Sequence, residues 1–137
     1  MIKVKRIHED AKIPTLGHED DAGLDIYCIE DFEIFHDEQV IVPTGLEIAI
    51  PKGYAGILMP RSGLTCKNRI DRRAGLIDPP YRKELKVVLV NENFKSYKFK
   101  KGDRIAQLVV VPCITKVEEV DDLDETSRGE GWGSSGR

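Results

Sequence analysis

The sequence predicts an all-β chain, a sandwich or closed jelly roll, and three observations carry that prediction. Its 12 Gly and 7 Pro are spread along 137 residues, which argues against a helical bundle. Apolar and polar residues alternate over runs of strand length. No segment before residue 115 carries a helical stripe as long as 11 residues. A chain of this length is expected to form one domain.

The elements follow in chain order. Ile2, Val4 and Arg6 alternate with lysines, and Ile7 follows, which reads as a first strand. Leu46, Ile48 and Ile50 alternate with Glu47 and Ala49 until Pro51 and Gly53 end the run. The short apolar run 57–59 sits between Gly56 and Pro60. Runs 85–90 and 105–111 are rich in β-branched residues and have strand length. Turn chemistry bounds them at Pro43-Thr44-Gly45, Pro51-Lys52-Gly53, Asp78-Pro79-Pro80 and Lys101-Gly102-Asp103. Val117, Val120 and Leu123 fit a short helix or a strand with a turn. They lie in 117–125, where six of nine residues are acidic. The last twelve residues hold four Gly and three Ser around Trp132, and such a tail is expected to be mobile by itself. The division is thus a β domain over 1–125 and a flexible arm over 126–137.

Composition excludes several function classes. Lys+Arg 21 against Asp+Glu 24 gives a net charge of −3, so an overall basic nucleic-acid binder is not expected. No apolar run approaches the ~20 residues that cross a bilayer, and 1–10 has no signal-peptide core, so no membrane partner is expected. The expected location is cytoplasmic, or nuclear in a eukaryote. Cys28, Cys66 and Cys113 form no C-x-x-C pair, and His8, His18 and His36 lack metal-ligand spacing. These six residues read as idle thiols and solvated histidines.

Chemistry concentrates in segments that join Gly to charged or hydroxyl residues. Ala22-Gly23-Leu24-Asp25 sets a carboxylate after a bend. Pro60-Arg61-Ser62-Gly63-Leu64 offers a guanidinium, a hydroxyl and a Gly whose neighbouring N–H groups can face a ligand. Ala74-Gly75-Leu76-Ile77-Asp78 ends a strand on a carboxylate, with Tyr81 three residues on. Gly102-Asp103-Arg104-Ile105-Ala106-Gln107-Leu108 is a turn running into a strand. Each alone is ordinary hairpin chemistry. Together, Arg61, Ser62, Gln107 and Arg128 are donors suited to phosphate, and Asp25 and Asp78 are oxygen groups suited to hydrated magnesium or to water activation. A Walker-type phosphate loop is lacking.

With Arg128-Gly129-Glu130-Gly131-Trp132-Gly133-Ser134-Ser135-Gly136 as a fifth segment, the order and gaps resemble the homotrimeric dUTPase family over nearly the whole chain. The resemblance implies a distorted jelly-roll subunit in a threefold trimer, with three active sites shared between subunits. One chain would supply the first, second and fourth motifs, a neighbour the third, and the third chain its tail. The implied reaction is hydrolysis of dUTP to dUMP and pyrophosphate, with Mg2+ on the triphosphate.

The resemblance also assigns roles. Asp78 matches the water-activating carboxylate, and Tyr81 the aromatic that packs on the deoxyribose and excludes a 2′-OH. The backbone of Ala74, Gly75, Leu76 and Ile77 would pair with uracil. Ser62 and Gln107 match contacts to the α and β phosphates, with Gly63 beside them, and Arg61 and Arg128 match the outer phosphates. Asp25 matches a magnesium contact through water. Trp132 matches the aromatic stacking on the base, with Gly131 and Gly133 flanking it, and Ser134 and Ser135 match γ-phosphate contacts. Some positions depart from the family pattern. One Gly is missing before Trp132, Pro80 stands where an acid is common, and Lys83 where Gly is common. Arg72 occupies a position where some relatives carry a base-contacting Asn. Arg69, Arg72 and Arg73 read as a solvated charged face or as electrostatic support for an anionic ligand. Two other readings stand beside this one: a dCTP deaminase on the same fold, using Glu84, and a non-catalytic binding protein on the same scaffold.

Overall fold

Alternation of apolar and polar residues builds two packed antiparallel sheets, and the computed structural model describes residues 1–129 and 136. The strands are β1 (Lys3–Arg6), β2 (Thr15–Leu16), β3 (Leu24–Tyr27), β4 (Phe32–Ile34), β5 (Gln39–Ala49) and β6 (Tyr54–Met59). A short helix α1 (Ser62–Asn68) precedes β7 (Ile70–Arg73), β8 (Leu76–Ile77), β9 (Glu84–Asn91), β10 (Tyr97–Phe99) and β11 (Arg104–Pro112). One sheet has the order β1-β5-β9-β7, the other β2-β3-β11-β6-β8, and β10 pairs with β4 in a small ribbon. The two larger sheets face each other across one core, as in a jelly-roll-like sandwich.

Ile26, Ile48, Leu58, Ile70, Leu85, Val87, Leu89, Ile105 and Leu108 form that core, each 3% exposed or less. Burying a side chain of this kind contributes ~1.5–3 kcal/mol. Among buried polar residues, Asn91 donates to the carbonyls of Ile34 at 2.9 Å and Lys95 at 3.0 Å, so its burial is compensated. Cys28 is fully buried, and desolvation pushes its thiol pKa up. Cys66, Cys113 and the three histidines are exposed.

The structure corrects two expectations about elements and adds one short helix. Pro43-Thr44-Gly45 does not end a strand; it is a register break inside β5, which pairs with β9 on both sides of it. Gly45 holds a φ of +69°, its N–H donates to Glu84 Oε2, and the Thr44 hydroxyl donates to the carbonyl of Leu85. The segment after Arg61, for which residue alternation names no element, is a helical turn. Thr65 N–H donates to the Arg61 carbonyl, Leu64 is buried, and Arg69 ends the turn in the left-handed region. Residues 117–123 form neither helix nor strand, and Val117 and Leu123 stand 96% and 86% exposed among the described residues. No helix among the described residues is long and apolar enough to cross a membrane.

Candidate active site

Strand β11 assembles the first, second and fourth motifs. It lies between β3 and β6, and Gln107 is paired with Asp25 on one side and Met59 on the other. Met59 ends β6, so Pro60, Arg61 and Ser62 emerge beside Gln107. A Cβ at Gly23 would stand 3.1 Å from Gln107 Cβ, so glycine in the first motif lets the Gln107 side chain lie across β3. A bulge between Arg104 and Ala106 shifts the alternation. Ile105 and Ala106 are both fully buried while Arg104 turns outward, towards Asp25 and Arg61.

Asp25 is the fixed anion of this cluster. It is 4% exposed, with Oδ1 4.0 Å from Arg61 Nε and Oδ2 3.5 Å from Arg104 Nη1. Arg61 Nη1 also donates to the Arg104 carbonyl at 3.5 Å. Arg61 and Arg104 line a cavity of about 310 Å³ with Tyr27, Tyr97, Phe99 and Asp103. Ser62 and Gly63 are exposed at the start of α1, where the first N–H groups have no acceptor within the helix.

The third motif forms a separate pocket. Ala74 and Gly75 both take positive φ, +56° and +110°, and turn the chain from β7 into β8. A Cβ at Gly75 would lie 3.0 Å from Leu58 Cβ, and the Gly75 carbonyl accepts from Leu58 N–H at 2.9 Å. Glycine is therefore required there twice over. Tyr81 N–H donates to the Asp78 carbonyl at 3.1 Å, which closes the turn through Pro79 and Pro80. The Tyr81 hydroxyl donates to the Glu84 carbonyl at 2.8 Å, and Arg82 donates to the carbonyls of Pro79 and Tyr81. Tyr81, Ala74, Gly75, Leu76 and Ile77 line a cavity of about 210 Å³, with Arg73 and Lys86 at its wall. Asp78 is exposed immediately beyond β8.

Asp78 and Arg61 sit at opposite ends of β6, with Gly75 beside Leu58 between them. Ile77 pairs with Gly56, which puts Asp78 beside the start of β6, while Arg61 follows its far end. Six residues at ~3.3 Å each separate them by roughly 20 Å along the strand. The two cavities share no lining residue. Of the remaining predicted residues, Arg128 is exposed, and Gly131, Trp132, Gly133, Ser134 and Ser135 lie outside the described residues.

The chain matches the dUTPase family model over residues 9–136. It is 42% identical over 139 aligned residues to a deoxyuridine 5'-triphosphate nucleotidohydrolase from Gloeothece citriformis (strain PCC 7424), covering 98% of this chain and 96% of that protein. The chain belongs to the dUTPase family. Among solved structures, a variant dUTPase of Staphylococcus bacteriophage 80alpha with dUpNHpp superposes with a TM-score of 0.89 at 29% identity, covering 99% of this chain and 98% of that one. A variant dUTPase from phage phi11 of S. aureus, described for its coordination of a structural Mg(II) ion, gives 0.83 at 26% identity, covering 91% and 99%.

Family membership sharpens what sequence reasoning missed. Arg104 was legible only as a turn residue, because its role depends on a bulge that alternation does not reveal. Arg73 and Lys86 reach the third-motif pocket through the pairing of β7 with β9. Glu84, the residue a deaminase would need, is engaged by Gly45 N–H at 2.9 Å and supports the break in β5.

Proposed function

We infer that this chain hydrolyses dUTP to dUMP and pyrophosphate, as a dUTP diphosphatase; the reaction lowers dUTP and supplies dUMP for dTTP synthesis. The uracil and deoxyribose occupy the pocket formed by Ala74, Gly75, Leu76, Ile77 and Tyr81. Fixed backbone groups there match uracil's donor and acceptor edge and mismatch that of cytosine. The Tyr81 ring closes on the sugar and leaves no space for a 2′-OH. Asp78 accepts a proton from water as the water oxygen attacks the α-phosphorus. The bond from that phosphorus to the bridging oxygen breaks, and pyrophosphate leaves. Arg61, Ser62, Gly63 and Gln107 hold the phosphates and offset the charge that builds on them.

The observation that supports a shared site is that Asp78 and Arg61 lie at opposite ends of β6, roughly 20 Å apart at the usual rise of a strand. Groups that grip the phosphates must lie within a few ångströms of the water that attacks one of them, so Asp78 and Arg61 of one catalytic centre come from different copies. A homotrimer with a site at each junction satisfies this, and the arm 126–137 of the remaining copy closes over the nucleotide. Arg128 then meets the outer phosphates, Trp132 stacks on the base between Gly131 and Gly133, and Ser134 and Ser135 meet the γ-phosphate.

Magnesium accompanies the triphosphate in this reading. Mg²⁺ takes six oxygen ligands and is commonly held by substrate phosphates, waters and one or two carboxylates. Among the described residues no group of three His, Cys, Asp or Glu side chains could hold a metal ion, and Asp25 already faces two guanidinium groups. The protein residues do not fit a resident ion, so no step here runs through one.

Pyrophosphate release from dUTP, dCTP, dTTP and UTP tests the assignment, with Asp78→Asn alongside. The expected result is turnover of dUTP alone, and at least a ~100-fold lower kcat in Asp78→Asn with nucleotide binding retained. Ammonia release from dCTP, or equal kinetics of the two proteins, would sink it.

A further inference from the structure

We propose that Asp25 is a positioning residue, a buried anion that fixes the Arg61 guanidinium for phosphate, and not a contact for the metal. The proposal rests on the dUTPase reading of the site. A carboxylate removed from water is costly unless paired, and Asp25 is paired on both oxygens. Arg61 is correspondingly restrained at three points. Its Nε faces Asp25, its Nη1 donates to the Arg104 carbonyl, and its own carbonyl accepts from Thr65 N–H.

That leaves the remaining guanidinium N–H groups of Arg61 directed to a ligand, next to the exposed Ser62 and Gly63. The rotamer freedom of a long side chain is then lost during folding rather than on binding. Strand pairing reinforces this, because Asp25 is held opposite Gln107, a second phosphate donor. Arg61 and Arg104 set two positive charges beside Asp25, and both repel a divalent cation there.

The two roles separate when metal is removed. Calorimetric titration of wild type and Asp25→Asn with dUpNHpp, whose imido bridge resists cleavage, is done in EDTA and again with magnesium. The expected result is at least a tenfold loss of affinity for Asp25→Asn in EDTA. Arg61→Ala should lose a similar amount, and the double variant no more than Arg61→Ala. Unchanged affinity in EDTA, with a loss only when magnesium is present, would overturn the proposal.

A second measurement needs no nucleotide. In ¹⁵N spectra the Arg61 Nη1–H that donates to the Arg104 carbonyl should exchange more slowly with solvent in wild type than in Asp25→Asn; equal exchange in both overturns the assignment. Failure of wild type to bind dUpNHpp would count against the dUTPase reading, and the exchange result would still decide the role of Asp25. Thermal melts report whether Asp25→Asn folds. If it does not, Arg104→Gln, at a side chain 48% exposed, breaks the same cluster from its surface side. Metal-free affinity should then fall at least threefold, and an unchanged value overturns the proposal.

Discussion

At the scale of single residues, similar side chains do unlike work. Gly75 is demanded by the chain itself, through its φ and its approach to Leu58. A Cβ at Gly63 would meet nothing within 4 Å among the described residues, so their packing does not require that glycine. Cys28 differs from Cys66 and Cys113 in the same sense, since it alone is buried, with its Sγ donating to the Lys100 carbonyl at 3.1 Å. Burial favours the neutral thiol and raises its pKa in the folded chain. The stability this contributes is complete below the thiol pKa of the unfolded chain and is lost as pH rises through the raised folded value. Melting temperatures measured from pH 7 to 10.5 should therefore fall more steeply in wild type than in Cys28→Ala on the alkaline side. Parallel curves would show that the thiol does not contribute.

At the scale of elements, the turn from β7 into β8 is the most constrained part of the site. Gly75→Ala places a side chain at a φ of +110° and against Leu58, and about 2 kcal/mol of destabilisation is expected from strain and crowding together. That corresponds to a melting point lower by roughly 4–8 °C for a chain of this size. A drop below 1 °C in scanning calorimetry would contradict it. The principal strands were legible from alternation, as were the turns at Gly53 and Gly102, which adopt φ of +85° and +88°. The break in β5 was not. Pro43 and Gly45 are turn residues by propensity, and only the partner strand, through Glu84 and Leu85, keeps them within a sheet. Helix α1 escaped because seven residues are too few for an amphipathic stripe, and tertiary contacts at Leu64 and Thr65 hold it.

At the scale of the whole molecule, the five segments were legible as a set, while their division came from the family resemblance and not from the residue pattern. Alternation cannot tell that β11 draws Asp25, Arg61 and Gln107 together and that β6 holds Asp78 away from them. The length of β6 has a genetic consequence. If the proposed trimer forms, Asp78→Asn chains alone and Arg61→Ala chains alone should each be nearly inactive. Unfolding, mixing and refolding the two should restore part of the activity. In a mixed assembly, some junctions receive Asp78 from the Arg61→Ala chain and Arg61 from the Asp78→Asn chain, and those junctions are intact. Two alleles at opposite ends of that strand, each failing alone, would then complement within one cell, whereas two alleles at the same end would not.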